Sequence, residues 1–164
     1  MNKMKEIRIE KVVLNIGCGA NLKTEDAKTI LERVSNDKAV VTKARKRSTF
    51  GVPKGKEIGC KVVKRKETHE LLKRLLEAKE NKLKASSFDD TGNVSFGIKE
   101  YIEVPGMEYD PSIGIIGFDV AVTLERPGYS VKKKRIPGKI GKKHLITRED
   151  AMNFMKEKFG VVIE

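Results

Sequence analysis

The sequence predicts an α+β fold: a mainly antiparallel sheet of about five strands, with about three helices packed on one face and the other face open. Three helical segments show apolar residues spaced along one helix face. Other segments alternate apolar and polar residues, and several of these follow one another without an intervening helix, which favours antiparallel pairing. The predicted strands lie at residues 7–16, 40–43, 57–65, 93–101 and 116–125.

One predicted strand, over residues 57–65, indicates what each face of the sheet carries. Side chains of a strand point alternately to opposite faces. One face of this strand is apolar enough for a core, and the other combines positive charge with little bulk. The first face takes Ile58, Cys60 and Val62, and the second takes Gly59, Lys61, Val63 and Arg65.

The predicted helices have recognisable ends. Thr24 is the expected N-cap of the first helix, with acidic residues in its first turn. The second helix spans residues 68–81 and buries a leucine stripe at 71, 72, 75 and 76. Thr147 is expected to cap the third helix in a capping box with Asp150, and Gly160 to end it.

The length of 164 residues predicts a single domain covering the whole chain. No run of about 18 apolar residues is present, so we expect no membrane span. Cys18 and Cys60 match no metal or redox spacing and are expected to be free thiols. The two histidines, His69 and His144, and the acidic residues form no catalytic or metal-binding pattern, which predicts a protein without catalytic residues, metal or cofactor.

Positive charge is concentrated in two segments. The formal net charge is +12, yet residues 38–66 alone hold eleven Lys or Arg and one acid. Residues 126–143 add eight Lys or Arg and no acid. Like charges in a block repel one another, so a polyanionic partner that offsets the repulsion is expected, and clustered basic residues are typical of nucleic-acid binding. An anionic membrane is the weaker alternative, because no basic amphipathic helix is visible.

The second basic segment also contains glycines and prolines. We expect a flexible loop at about 126–146 in the free protein, which orders on RNA. Its densest charge is expected to contact RNA, and it consists of Lys132, Lys133, Lys134 and Arg135.

Seven motifs, in order along nearly the whole chain, resemble one family: the universal large-subunit ribosomal protein five, which binds 5S rRNA in the central protuberance. The basic loop is similar to the archaeal and eukaryotic branch. The motifs are LNIG (14–17), TKARK (42–46), FGVPKG (50–55), IGCKV (58–62), SFDDTGNVSFGI (87–98), YDPSIGIIGFDV (109–120) and RPGYSVKKKR (126–135).

This resemblance implies a cytoplasmic ribosomal protein that is not an enzyme. It implies partners: 5S rRNA on the open sheet face, large-subunit rRNA, tRNA in the peptidyl site, and neighbouring ribosomal proteins. By position, the 5S rRNA contacts would be Asn15, Thr42, Lys43, Arg45, Lys46, Lys61 and Arg65, and the tRNA-contacting loop would be Phe50, Gly51, Val52, Pro53 and Lys54. The family usually has Thr where this chain has Val63, which removes a hydroxyl from that face.

Some residues have plainer interpretations without the resemblance. The Asn15 amide would then cap a strand end, and Phe50 would anchor its loop on the protein itself. Two other functions are alternatives: a non-ribosomal RNA-binding regulator or RNA chaperone, and a small nucleotide-dependent enzyme. The enzyme would use the Gly17-Cys18-Gly19 turn, although Leu22 occupies the third glycine position of the dinucleotide motif.

Overall fold

The strands and helices follow the predicted order, with two short strands added. The computed structural model describes residues 3–19, 22–47 and 51–164. Within them, besides short 3-10 turns, the chain forms seven strands and three helices: β1 (Arg8–Gly17), α1 (Thr24–Ser35), β2 (Val40–Lys43), β3 (Glu57–Lys64), α2 (Thr68–Glu77), β4 (Lys82–Leu83), β5 (Val94–Ile98), β6 (Phe118–Glu125), α3 (Arg148–Phe159) and β7 (Val162–Ile163).

The main sheet has five strands in the order β2-β3-β1-β6-β5, and all neighbours pair antiparallel. The central strand β1 buries Val12, Leu14 and Ile16 on one face and exposes Asn15 and Gly17 on the other. β6 and β5 alternate in the same way. The predicted α+β class and the antiparallel sheet are therefore confirmed.

The buried face of the sheet packs against all three helices. Buried residues of α1, α2 and α3 join the strand residues in one connected core. Leu72 and Leu75 of the predicted leucine stripe are fully buried. Each such side chain stabilises the fold by about 1.5–3 kcal/mol relative to leaving it in water. Because the helices occupy one face, the other face of the sheet is left exposed.

The helix ends confirm one capping prediction and correct another. The box that starts α3 is present, with Asp150 N donating to Thr147 Oγ1 at 3.3 Å and Thr147 N donating to Asp150 Oδ2 at 3.2 Å. Gly160 ends α3 with φ of 64°. The prediction for Thr24 is wrong, because Lys23 occupies the N-cap position and Thr24 Oγ1 donates to Glu57 Oε2 at 3.0 Å. The Thr24 hydroxyl is therefore engaged by a carboxylate of β3, which is distant in sequence, and does not cap the helix.

The second helix is shorter than predicted. It ends at Glu77, and Glu80 and Asn81 adopt positive φ values of 54° and 55°. The chain then forms β4, which pairs parallel with β7. Strands of two residues have no readable periodicity, so this small sheet could not be found from the sequence.

A turn built on Asp89 connects β4 to β5. The Asp89 carboxylate accepts hydrogen bonds from Thr91 Oγ1 at 2.6 Å, from Asn93 Nδ2 at 3.0 Å and from Thr91 N at 3.1 Å. These bonds favour the charged form and lower the pKa of Asp89 to about 2. The pair at Asp89 and Thr91 thereby fixes the turn that leads into the sheet.

The Asp89 turn gives a prediction about pH. The pKa of Asp89 is lower in the folded than in the unfolded protein. The charged carboxylate therefore stabilises the fold fully at pH values above the ordinary pKa of Asp, and this stabilisation is lost as the pH falls through about 2. We expect NMR titration of the Asp89 carboxyl to give a midpoint near 2. Thr91→Val, which removes the largest contributor, should raise the midpoint toward the ordinary value. A wild-type midpoint that Thr91→Val leaves unchanged would contradict this account.

The basic loop between β6 and α3 is tied at its two ends. Tyr129 Oη donates to His144 O at 3.2 Å and accepts from Ile146 N at 3.0 Å. His144 Nε2 donates to Pro127 O at 2.9 Å, and Arg126 Nη2 pairs with Asp150 at 2.9 Å. These contacts close the base of the loop. Flexibility of the loop in the absence of RNA stays a prediction.

Candidate nucleic-acid interface

The open face of the sheet carries one row of residues that crosses all five strands. The strand register places each member directly opposite the next. Two opposite charges and an amide therefore lie side by side at the centre of an exposed surface. In order from β2 to β5, the row is Val40, Lys61, Asn15, Asp119 and Gly97.

The residues around this row have small side chains or none, so little projects from the sheet there. Gly17 lies opposite Gly59, and the next row holds Ala121 and Ser95. A Cβ built on Gly59 would lie 2.4 Å from Ile16 O, so no side chain fits there. A flat surface of this kind allows a bulky RNA backbone to approach the strands closely.

Val63 is an exposed apolar side chain on this otherwise polar and small-residue face. It is 40% exposed and lies opposite Val13 in the row beside Asn15. An exposed valine offers neither a donor nor an acceptor. Its methyl groups can only pack on a ribose or a base.

The structure places two of the predicted 5S rRNA residues side by side in the sheet, while most of the others lie at the end of β2 and Arg65 follows the opposite end of β3. Asn15 and Lys61 are register partners. Thr42 is half-buried opposite Gly59, and Lys43 Nζ lies 3.4 Å from Glu57 Oε1 in an exposed ion pair. Exposed ion pairs contribute at most about 1 kcal/mol, so Lys43 can exchange this partner for a phosphate. Three further cations are exposed beyond the strand ends: Arg45, Lys46 and Arg65.

The described part of the predicted tRNA-contacting loop, residues 51–54, belongs to a hairpin that extends β2 and β3. Ala44 N donates to Lys56 O at 2.8 Å, and Gly55 N donates to Ala44 O at 2.9 Å, which closes the hairpin beyond the strands. Gly51 and Gly55 have φ of 80° and 88°, values that favour glycine. Gly51, Pro53 and Lys54 are exposed and Val52 is half-buried. Phe50 lies outside the described residues.

The four residues of the densest basic segment are not equivalent. Lys133 Nζ lies 2.7 Å from Glu10 Oε1 and 3.1 Å from Glu125 Oε2, so it contacts the protein itself. Lys132, Lys134 and Arg135 are exposed, and no ion pair within the described part of the chain engages them. Three of the four cations are thus available to an outside partner.

Two family models match the chain almost end to end. Residues 2–52 match "Ribosomal protein L5", and residues 57–161 match the model of the C-terminus of the same ribosomal family. The chain belongs to the ribosomal protein L5 family. This confirms the resemblance drawn from the seven motifs.

Curated relatives of the L5 family agree over their full lengths. The chain is 46% identical to large ribosomal subunit protein uL5 of Sulfolobus acidocaldarius, covering 99% of this chain and 93% of that protein. It is 46% identical to the protein of the same name from Nanoarchaeum equitans, with 98% and 97% covered. The Methanosphaera stadtmanae protein is 42% identical over the whole of both chains.

Membership of the L5 family establishes the general function. The protein is a structural, non-enzymatic constituent of the large ribosomal subunit that binds rRNA and acts in translation in the cytoplasm. The antiparallel pairing of β1 with both β3 and β6 also argues against a dinucleotide fold at the Gly17 turn, since that fold needs parallel neighbours.

The described residues contain neither a group of metal-binding side chains nor a helix able to span a membrane. Across residues 3–19, 22–47 and 51–164, no three His, Cys, Asp or Glu side chains are grouped to hold a metal ion. In the same ranges, none of the helices has the length and apolar character to cross a membrane.

The two cysteines of this L5 family member are free but adjacent. Cys60 Sγ donates to Thr24 O at 3.1 Å, and Cys18 N donates to Ile58 O at 2.9 Å, which places Cys18 beside β3. Burial raises the pKa of both thiols. They are therefore neutral, poorly nucleophilic groups at the margin of the core.

Sequence reasoning missed Asp119 as a residue of this interface. It lies on the exposed side of β6, opposite both Asn15 and Gly97. A carboxylate only accepts hydrogen bonds, so it repels phosphate but can bind a ribose 2′-OH or a base amino group. Asp119 lies within a strand that the sequence predicted, but a search for positive charge passes over an acid.

Proposed function

We propose that the open sheet face binds 5S rRNA, with the cationic edge at residues 43–46, and Arg65 at the other end of β3, neutralising its phosphates. Large-subunit rRNA meets the basic loop at Lys132, Lys134 and Arg135. The hairpin tip at residues 50–54 extends toward tRNA in the peptidyl site. Together these contacts place the protein in the central protuberance beside other ribosomal proteins. The observation that carries the proposal is the exposed row of Lys61, Asn15 and Asp119 on a flat, glycine-lined sheet.

The chemistry of this face suits folded RNA better than a protein partner. Phosphate contacts supply affinity through release of counterions, and exposed cations are grouped where the chain leaves β2, at Lys43, Arg45 and Lys46. The centre offers an amide, a carboxylate and a single lysine, which match 2′-OH and base edges rather than a run of phosphates. The edge therefore provides affinity and the central row provides selection for RNA.

A titration of the purified protein tests this proposal. We expect filter binding to show tighter association with 5S rRNA than with a hairpin of matched length, and the preference should persist as salt increases. Asn15→Ala should reduce the preference while leaving the salt slope unchanged, because the amide contacts no phosphate. Equal affinity for both RNAs at every salt concentration would overturn the proposal.

The hairpin tip gives a separate prediction. Replacing residues 50–54 with a Gly/Ser segment of equal length, while keeping Gly55 and its bond to Ala44, should leave 5S rRNA affinity within about twofold. Occupancy of peptidyl-site tRNA on reconstituted ribosomes should fall. Lys54→Gln is the control for the lost charge. If the replacement weakened 5S rRNA binding as much as changing Lys43, Arg45 and Lys46 to Gln, the assignment of this loop to tRNA would be excluded.

A further inference from the structure

Lys133 makes contacts that set it apart from the basic residues beside it. Its Nζ lies between two carboxylates, 2.7 Å from Glu10 Oε1 and 3.1 Å from Glu125 Oε2. The side chains of these acids are only 14% and 12% exposed, whereas that of Lys133 is 52% exposed. The lysine therefore reaches from the loop surface down to a pair of largely buried charges.

The end of the sheet is built to receive this lysine. The register of β1 and β6 shifts between Ile9 and Lys11, and this irregularity contains Glu10. Arg8 opposite Glu125 donates through Nε at 3.0 Å and Nη2 at 2.7 Å to Glu125 Oε1. Lys11 Nζ lies farther from Glu10 Oε1, at 3.9 Å. Glu10 thus has Lys133 as its one close cation among the described residues.

The charges of this cluster support one another. Burial disfavours the charged form of Glu125, but hydrogen bonds from Lys133 and Arg8 outweigh it and lower the pKa of that carboxyl. The hydrogen bond to Glu10 raises the pKa of Lys133. Partly buried carboxylates that lose a cation incur a desolvation penalty, so this arrangement resists the removal of Lys133.

Lys133 also marks a boundary within the basic loop. The 3-10 turn at Tyr129–Lys133 follows Gly128, whose φ is 98°, and Val131 N donates to Gly128 O at 3.3 Å. Farther along the loop, Gly138 N donates to Val131 O at 3.1 Å. Between these bonds the chain is exposed, and Ile136 is 86% exposed. The loop is therefore held as far as Lys133 and again at Gly138, and residues 134–137 project between these two points.

We propose that Lys133 is a positioning residue, which with Glu10 and Glu125 forms a latch that fixes the 129–133 turn on the end of the sheet. The latch presents Lys132, Lys134 and Arg135 as one cationic group to rRNA phosphates. This inference rests on the proposed rRNA contact of the loop and narrows it, because Lys133 itself neutralises protein carboxylates. It also divides the loop, with order expected up to Lys133 and again from Gly138, and mobility expected in residues 134–137.

Hydrogen exchange on the full-length free protein tests the latch without RNA. Lys133→Gln, and separately Glu10→Gln with Glu125→Gln, should speed exchange of the Val131 and Gly138 amides at least tenfold. Lys134→Gln, with the same change of charge, should not, and Lys133→Arg should retain most of the protection. Equal exchange in Lys133→Gln and Lys134→Gln would overturn the latch. A circular dichroism melt confirms that each variant is folded.

Filter binding to purified large-subunit rRNA across salt tests the presentation of the three cations. Lys134→Gln should make the log–log salt slope shallower by about 0.7–0.9, the contribution of one phosphate. Lys133→Gln should lower affinity severalfold with the slope unchanged. A slope reduced equally by both variants would make Lys133 a phosphate contact and overturn the proposal. If the wild-type protein binds no RNA, the proposed function and the presentation both fail, while the exchange results still decide the latch.

Discussion

Changing Lys43, Arg45 and Lys46 together to Gln is expected to weaken 5S rRNA binding on the order of 100-fold at 0.1 M salt. These residues lie at and just after the end of the edge strand β2, and their side chains are exposed. Each phosphate contact contributes about 0.7–0.9 to the log–log salt slope, so the slope should become shallower by about 2–3. The pair of Lys43 with Glu57 is exposed and its loss should barely affect folding.

A variant with the same change of charge on the opposite side of the molecule provides the control. Lys73 of α2 and Lys156 and Lys158 of α3 are exposed on the helical side. Changing these three to Gln should alter affinity only a few-fold, through the net charge. If both triple variants lose the same affinity and slope, the protein binds RNA through overall charge and the cationic edge has no special role.

Gly59→Ala is expected to destabilise the protein by about 1–3 kcal/mol, through forced movement of backbone in a packed sheet. The added Cβ would lie 2.4 Å from Ile16 O and 3.3 Å from Thr42 Oγ1. Since the first contact is with backbone, it can be relieved only by displacing β1 from β3. Urea denaturation should show a lower midpoint with little change in the denaturant dependence.

Gly17→Ala is the matched control because Gly17 is the register partner of Gly59. A Cβ there meets no atom within 4 Å, so stability should change by less than about 0.5 kcal/mol. The methyl group does project from the open face, and 5S rRNA binding should weaken. Equal destabilisation by both variants would show that the close approach to Ile16 is not the cause.

The sequence predicted those parts of the fold that depend on local patterns. Alternation in β3 indicated what each face of the sheet carries, and the Thr147 box located the start of α3. The Thr24 cap failed because a competing acceptor, Glu57, is supplied by another strand. β4 and β7 formed through pairing of distant two-residue segments, which no local pattern records.

The candidate site followed the same division. Clustered charge indicated the basic edge and the basic loop, and the family resemblance indicated Asn15. Only the strand register shows that Asn15 stands between Lys61 and Asp119. The different position of Lys133 depends on Glu10 and Glu125, which lie on separate strands far apart in the chain. Such pairings require the tertiary fold.

The flat, small-residue face has a consequence for how the protein tolerates mutation. Ser95, Ala121 and Gly17 touch little of the protein's own core, so folding places few demands on which amino acids stand there. A mutational scan that scores the isolated protein for solubility would find most substitutions at these positions harmless. The same library scored by growth of cells that depend on the protein should reject them. The gap between the two maps would outline the area that RNA covers.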